Sequence, residues 1–257
     1  MQSTNHPTWN RRGRWHRRGS VKLLASGGLV VLMLAAGGFH LLAQPVEQKN
    51  VSEEKTPAAE SESQSAAKPA EEKVATLAGG CFWCVEAVYE RMKGVNDVVS
   101  GYTGDESSPN PTYQQISAHT TNHAEACQIF YDPQQVTFEE LLEVFFHVHD
   151  PTTLNRQGYD VGPQYRSAIF YADEEQKKVA ETSIAKLDAA KEFRNPIVTE
   201  VTKLGTFWDA EEYHQDYFQR NPYAGYCRTT VVKKVKKFQN LFEDKVRKDG
   251  VATRREE

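Results

Sequence analysis

The sequence predicts an α+β fold, a two-layer sandwich in which helices pack on a mixed, twisted sheet. Three observations carry this. Short apolar runs of strand length recur between amphipathic stretches of helical period. Their order is irregular, unlike the strict alternation of a parallel α/β sheet. Both kinds of segment are confined to residues 74–242, and the residues before them have a very different composition.

That preceding part has three pieces. Residues 1–22 hold six basic side chains (Arg11, Arg12, Arg14, Arg17, Arg18, Lys22) and no acid. Residues 23–43, LLASGGLVVLMLAAGGFHLLA, carry no Lys, Arg, Asp or Glu over 21 positions, and a single helix needs roughly 20 residues to cross a bilayer. The basic flank stays cytoplasmic, so the following chain is expected outside, on a membrane-anchored, exported (periplasmic or extracytoplasmic) protein. The alternative is secretion after signal cleavage; the apolar stretch is long for a signal, and Leu41-Leu42-Ala43 is the nearest approach to a cleavage pattern. Residues 44–73 lack aromatics and are rich in Glu, Ser, Ala, Pro and Lys. They read as a disordered linker that cannot bury enough apolar surface to fold.

The folded part is taken in order. VATLAGG (74–80) is an apolar run closing on glycines, a strand. Cys81, Cys84, Val85, Val88 and Met92 then recur at helical spacing, so an amphipathic helix opens at Cys81 and ends at Gly94. VNDVVSGYTG is a second strand with a glycine exit. SSPNPTYQQISAH is a turn followed by a short helix. AEACQIFYD is a third strand, stopped by Asp132-Pro133. Thr137 caps the helix FEELLEVFFHVHD, which Pro151 terminates. Residues 151–163 form a loop, QYRSAIFYA a strand, and DEEQKKVAETSIAKLDAAKEF a helix with Asp173 as its cap. PIVTEVTKL is a further strand. DAEEYHQDYFQRNP reads as a helix ended by Asn221-Pro222. In the basic stretch 231–248, Val231, Val235, Phe238 and Phe242 share a helical face, which suits packing on the domain better than contact with acidic lipid. Residues 243–257 are a charged tail.

Charge narrows the partners. The first 73 residues take 7 acids and 10 bases from totals of 35 and 31, leaving 28 acids and 21 bases, a net of −7. Nucleic acid is not the partner such a domain attracts. Four cysteines (Cys81, Cys84, Cys127, Cys227) are too few for a disulfide scaffold, which points to chemistry.

The chemistry centres on GGCFWCVE. Only a thiolate attacks, and a helix N-terminus lowers a thiol's pKa. Cys81 stands where strand passes to helix, after two glycines that let a substrate approach, with Phe82 and Trp83 as an apolar flank. The pair Cys81 and Cys84 also fits a buried helix stripe, half a zinc site or a thioredoxin-like dithiol. Zinc needs two more ligands, and only the loosely spaced His119/His123 and His147/His149 offer themselves. A thioredoxin-like pair usually encloses turn residues rather than Phe-Trp. Elsewhere, Glu125 opens a strand among apolar neighbours, where desolvation raises a carboxyl's pKa as a general acid requires. Tyr113 lies in PNPTYQQI, and Asp160 and Tyr165 lie in RQGYDVGPQYRS. Cys127, between apolar strand positions, reads as a small buried hydrophobe.

The ordered series GCFWCVE, SGYTG, NPTYQQI, HAEACQIFYDP, HDPTTLNRQGYDVGPQYRSAIFY and HQDYFQRNPYAGYC resembles the A-type peptide methionine sulfoxide reductases, over residues 75–240. The resemblance implies their fold, with a ferredoxin-like core, in the domain 74–242. It implies reduction of methionine-S-sulfoxide, in proteins and as the free amino acid. Cys81 is then the nucleophile, and Phe82 and Trp83 hold the S-methyl group. Glu125 protonates the sulfoxide oxygen, Tyr113 and Tyr165 hydrogen-bond it, and Asp160 completes the polar side. Methionine leaves, and Cys81 becomes a sulfenic acid that a second thiol converts to a disulfide. Thioredoxin or a similar dithiol reduces it. The resemblance implies no metal or bound cofactor, and the protein is expected to act as a monomer. Two thiols match resolving positions: Cys227, in a GYC context and expected on a mobile segment, is favoured, with Cys84 the alternative and a relay through both also open.

Overall fold

The computed structural model describes residues 71–252. The expected segments 1–22 and 23–43, the linker up to residue 70, and the last five residues lie outside the described residues. Among the described residues no helix is long and apolar enough to cross a membrane.

In chain order the elements are β1 (Lys73–Gly79), α1 (Phe82–Tyr89), β2 (Val95–Thr103), α2 (Tyr113–Ser117), β3 (Ala124–Tyr131), α3 (Phe138–Val148), β4 (Arg156–Gln157), β5 (Asp160–Val161), β6 (Ser167–Tyr171), α4 (Glu174–Ala190), β7 (Glu200–Lys203), β8 (Trp208–Asp209), α5 (Tyr217–Arg220) and α6 (Val232–Leu241). Six strands make one sheet in the order β7-β6-β1-β3-β2-β8. It is mixed: β6 and β7 run parallel, and the other neighbours are antiparallel. The α+β expectation therefore holds.

Strand alternation divides the sheet into two faces. Ala75 and Leu77 of β1, Cys127 and Ile129 of β3 and Ile169 of β6 join the main core with α1, α3 and α6. The opposite face carries small side chains (Ala78, Ala124, Ala126, Ala168) around Phe170, with Leu204 and Phe207 packed over them. Gly101 in β2 belongs to this cover: a Cβ there would stand 2.4 Å from the Phe207 ring and 2.5 Å from the Trp208 carbonyl oxygen. Each large apolar side chain sealed in the main core contributes about 1.5–3 kcal/mol of burial.

The helix caps follow the sequence. Thr137 Oγ1 accepts the Glu140 N–H at 3.2 Å, and Glu140 returns the bond by accepting the Thr137 N–H at 3.0 Å. Asp173 accepts the Gln176 N–H at 2.8 Å. Each such cap is worth about 1 kcal/mol. On α6 the expected face is the packed one, with Val231, Val235, Phe238 and Phe242 all buried.

Several boundaries differ. Helix α1 stops at Tyr89 rather than Gly94, because the following backbone pairs with distant chain: the Lys93 N–H donates to the Lys245 carbonyl, and Met92 bridges Val246. The Ala252 N–H donates to the Glu90 carbonyl, so residues 243–252 lie against the domain. The loop 151–163 contains the hairpin β4–β5, and QYR forms the end of a 3-10 turn before β6 begins. The helix expected over DAEEYHQDYFQRNP is broken: a 3-10 turn at Glu212–His214 and the four-residue α5 flank Asp216 at φ +51°.

Candidate active site

Strand β1 delivers Cys81 through a bend at Gly80. Its φ of +93° suits glycine, and a Cβ there would meet Gln157 Cγ at 2.5 Å. Cys81 is the residue at which α1 begins, and its carbonyl accepts the Cys84 N–H at 3.0 Å. Strand β3 brings Glu125 to the same place, where its Oε2 accepts the Phe82 N–H at 3.1 Å. A cavity of about 210 Å³ opens here, lined by Cys81, Phe82, Trp83, Tyr113, Glu125, Asp160, Tyr165 and Tyr226.

Other elements are pinned by their own bonds. Thr112 caps α2, and the Tyr113 N–H donates to Glu211 Oε1 at 2.9 Å. Tyr102 OH donates to the other Glu211 oxygen at 3.0 Å, tying α2 to β2. Asp160 sits in the β4–β5 hairpin opposite Gln157. Tyr165 ends the 3-10 turn that follows Gly162. Tyr226 OH donates to Asp160 Oδ2 at 2.6 Å and lies 3.9 Å from Cys84 Sγ.

The apolar wall is reinforced from behind. The Tyr217 ring stacks on Trp83 with centroids 3.7 Å apart and planes 8° from parallel. The His214 ring lies 5.1 Å from Phe82, 5.5 Å from Trp83 and 4.3 Å from Tyr113.

Burial holds Glu125 and Cys81 toward their protonated forms. Burial pushes the Glu125 carboxyl up to about 8, with Asp160 adding to the rise against the bond from Phe82. Burial also raises the Cys81 thiol well above its usual value, and its hydrogen bond with Cys84 and the Glu125 charge act in the same sense. Burial and the Glu125 charge thus oppose the lowering expected from the helix start. Cys84 moves the other way, lowered first by the hydrogen bond with Cys81 and further by the Lys234 ammonium, against its burial. Burial raises Tyr113 and Tyr165 as well.

The fold thus brings together all seven residues expected to face substrate: Cys81, Phe82, Trp83, Tyr113, Glu125, Asp160 and Tyr165. Cys84 is buried beside them. Cys227 does not line the cavity. It is fully buried at the first position of a π-helical turn, Cys227–Val231, that leads into α6, whereas Tyr223, Gly225 and Arg228 of the segment expected to be mobile are exposed. Its thiol is raised by burial and by the neighbouring Cys84. None of the four thiols is in a disulfide. Cys127 is buried, with its thiol donating to the Phe82 carbonyl at 3.5 Å. His149 uses both ring nitrogens, on the Phe145 carbonyl and Ser167 Oγ.

Sequence reasoning did not single out Tyr226, Tyr217 or His214. A signal was present: the aromatic spacing Tyr213-His214, Tyr217-Phe218 and Tyr226 just before Cys227 exceeds what a surface helix needs.

A family model described as "Peptide methionine sulfoxide reductase" matches residues 73–246. The peptide methionine sulfoxide reductase MsrA 1 of Rhodopirellula baltica is 59% identical over 179 residues, covering 70% of this chain and 92% of that protein. The MsrA of Saccharolobus solfataricus is 51% identical over 175 residues, covering 68% of this chain and 97% of its own. Among solved structures, reduced Mxr1 from Saccharomyces cerevisiae superposes with a TM-score of 0.57 at 36% identity, covering 62% of this chain and 91% of that one. Methionine sulfoxide reductase A of Corynebacterium diphtheriae gives 0.55 at 37% identity, over 63% and 80%.

Proposed function

The chain belongs to the peptide methionine sulfoxide reductase family, A type, and from that premise we propose how its cavity reduces methionine-S-sulfoxide, both in proteins and as the free amino acid. One observation carries the reading: a nucleophilic thiol, a protonated buried carboxyl and an apolar wall converge on one small cavity.

The S-methyl group rests on Phe82 and Trp83. The sulfoxide oxygen lies toward Glu125, Tyr113 and Tyr165, with Asp160 held on the same side by Tyr226. Because the Glu125 proton is retained to about pH 8, it is available where negative charge develops on oxygen. Cys81 sulfur attacks the sulfoxide sulfur. The Cys81 thiol proton and the Glu125 proton pass to the oxygen, and the S–O bond breaks with loss of water, giving an S–S sulfonium adduct. Water then attacks Cys81 sulfur, the S–S bond breaks to release methionine, the surplus proton returns to Glu125, and Cys81 is left as sulfenic acid. The balance is a sulfoxide and a thiol giving a thioether and a sulfenic acid.

A second thiol then condenses with the sulfenic acid, forming an S–S bond and releasing water. We assign this step to Cys84. Support comes from its place one helical turn from Cys81, buried beside it with its N–H on the Cys81 carbonyl at 3.0 Å, whereas Cys227 is sealed away from the cavity. This reverses the preference for Cys227 that its sequence context suggested; Cys227, next to Cys84, serves as a second acceptor. A thioredoxin-like dithiol closes the cycle by two exchanges that return both cysteines to thiols. For location, the uncharged stretch 23–43 and its basic flank support an extracytoplasmic domain on a membrane anchor, which fractionation and N-terminal sequencing of the mature protein test.

The deciding experiment gives the full chain each epimer of a methionine sulfoxide peptide with dithiothreitol as reductant. Turnover of the S epimer is expected. Turnover of the R epimer alone, or of neither, overturns the proposal.

A further inference from the structure

Glu86 is an oddity of α1. It is 1% exposed, and the groups that bond it are neutral donors rather than cations; a buried carboxyl is costly unless its oxygens are bonded. Those donors are Ser100 Oγ–H and the Asp216 N–H on Oε1, at 3.0 and 3.1 Å, and the Tyr217 N–H on Oε2 at 3.2 Å. The two amides belong to the break in the expected helix, where Asp216 adopts φ +51°, a left-handed conformation uncommon outside glycine. That turn is what aims the Tyr217 ring at Trp83. The same helix edge adds Glu90, whose Oε1 accepts from Gln219 Nε2 at 2.9 Å, and Arg91, over the Phe218 ring at 5.1 Å. Gln215 locks the turn to β2 by bonding both the N–H and the carbonyl of Ser100.

We propose that Glu86 is a positioning residue for the reaction: by holding the amides of Asp216 and Tyr217 it fixes the Tyr217 ring against Trp83, and so sets how closely the apolar wall fits an S-methyl group. The proposal rests on the functional reading above. It separates Glu86 from the residues that touch substrate, since Glu86 does not line the cavity and acts only through Tyr217 and Trp83. A carboxyl is the group this task needs. It offers acceptor oxygens on both sides of one carbon, spaced for consecutive backbone amides, whereas an amide side chain presents a donor to one of them.

The test compares the S-methyl and S-ethyl sulfoxides, both as the S epimer, with dithiothreitol and the full chain. A fitted apolar pocket separates substrates differing by one methylene by about tenfold or more. In Glu86→Gln that preference is expected to fall to about twofold, through KM for the methyl substrate more than through kcat. Tyr217→Ala is expected to lower it equally, and the double variant no further, because the two act in series. A Glu86→Gln protein that loses thermal stability yet keeps the full methyl preference overturns the proposal, and so do additive effects in the double variant. If Glu86→Gln does not fold, Glu86→Asp, whose shorter side chain withdraws the acceptors from the amides, is read by the same criteria. Wild-type inactivity on both sulfoxides instead overturns the functional reading and the proposal together.

Discussion

The backbone N–H of Phe82 donates to Oε2 of Glu125 at 3.1 Å. This one bond joins the start of α1, next to Cys81, to β3, and it fixes which oxygen is engaged. Oε1 is left free of that amide.

Glu125→Gln keeps an acceptor for Phe82 but has no proton to transfer. A loss of roughly 10²–10⁴ in kcat/KM is expected. In the wild type, the active acid form disappears as pH rises through about 8, so kcat/KM falls on that limb. The pH profile of the variant, taken with dithiothreitol, is expected to lack this limb. A limb of unchanged position in the variant assigns it to another group.

The thiols divide by reductant. Cys81→Ser is expected to be inactive with any reductant. Cys84→Ser is expected to retain most turnover with excess dithiothreitol, which reduces the sulfenic acid directly, and to lose most of it with thioredoxin. Cys227→Ser is expected to keep turnover with both. Peptide mass mapping after one turnover without reductant identifies the first disulfide; a Cys81–Cys227 linkage in the wild type contradicts the assignment of Cys84 as first resolver.

Gly80→Ala tests the bend that presents Cys81. The new methyl group meets both an unfavourable φ of +93° and the Gln157 side chain at 2.5 Å. Gln157 in turn bonds the N–H and carbonyl of Asp150 and pairs with Asp160. A stability loss of about 1–3 kcal/mol is expected, read by denaturant titration, together with lowered activity because Asp160 shifts with its hairpin.

Three buried carboxyls give stability a definite slope with pH. Folded Glu86 and Glu125 have pKa values near 8, and Glu90 near 7, raised in each case first by burial. Unfolded, they titrate near 4.5. Between those values the folded state binds more protons, so stability falls as pH rises. Each group contributes on the order of 1 kcal/mol per pH unit until it ionises in the folded state. From about pH 6.5 to 8 the melting temperature is therefore expected to drop. A flat or rising profile shows that these carboxyls are ionised in the native protein.

Much of this was legible in the residues themselves. Thr137 and Asp173 announce their helices because capping is a local bond between a side chain and amides three residues on. The face Val231, Val235, Phe238 and Phe242 announces its packing because periodicity is local too. The ordered motifs located seven of the residues that line the cavity. What escaped was nonlocal. DAEEYHQDYFQRNP has helical composition, yet its backbone is broken at Asp216 by a carboxyl 130 residues earlier. Cys81 was expected to be acidified by its helix, but burial next to Glu125 governs it. Cys227 follows Gly225 and an exposed Tyr223, which suggests mobility, while the thiol itself is sealed under the helices. Strand hydrogen bonding likewise ended α1 early, through Lys245 and Val246, which lie far along the chain.

The bond from Tyr226 to Asp160 spans 66 residues, and the contact of Tyr226 with Cys84 spans 142. The cavity is closed by long-range contacts, and such contacts are slow to form because large loops must close first. Enzymatic competence on refolding therefore waits on the docking of residues near position 226 over a pocket whose floor is laid at position 81.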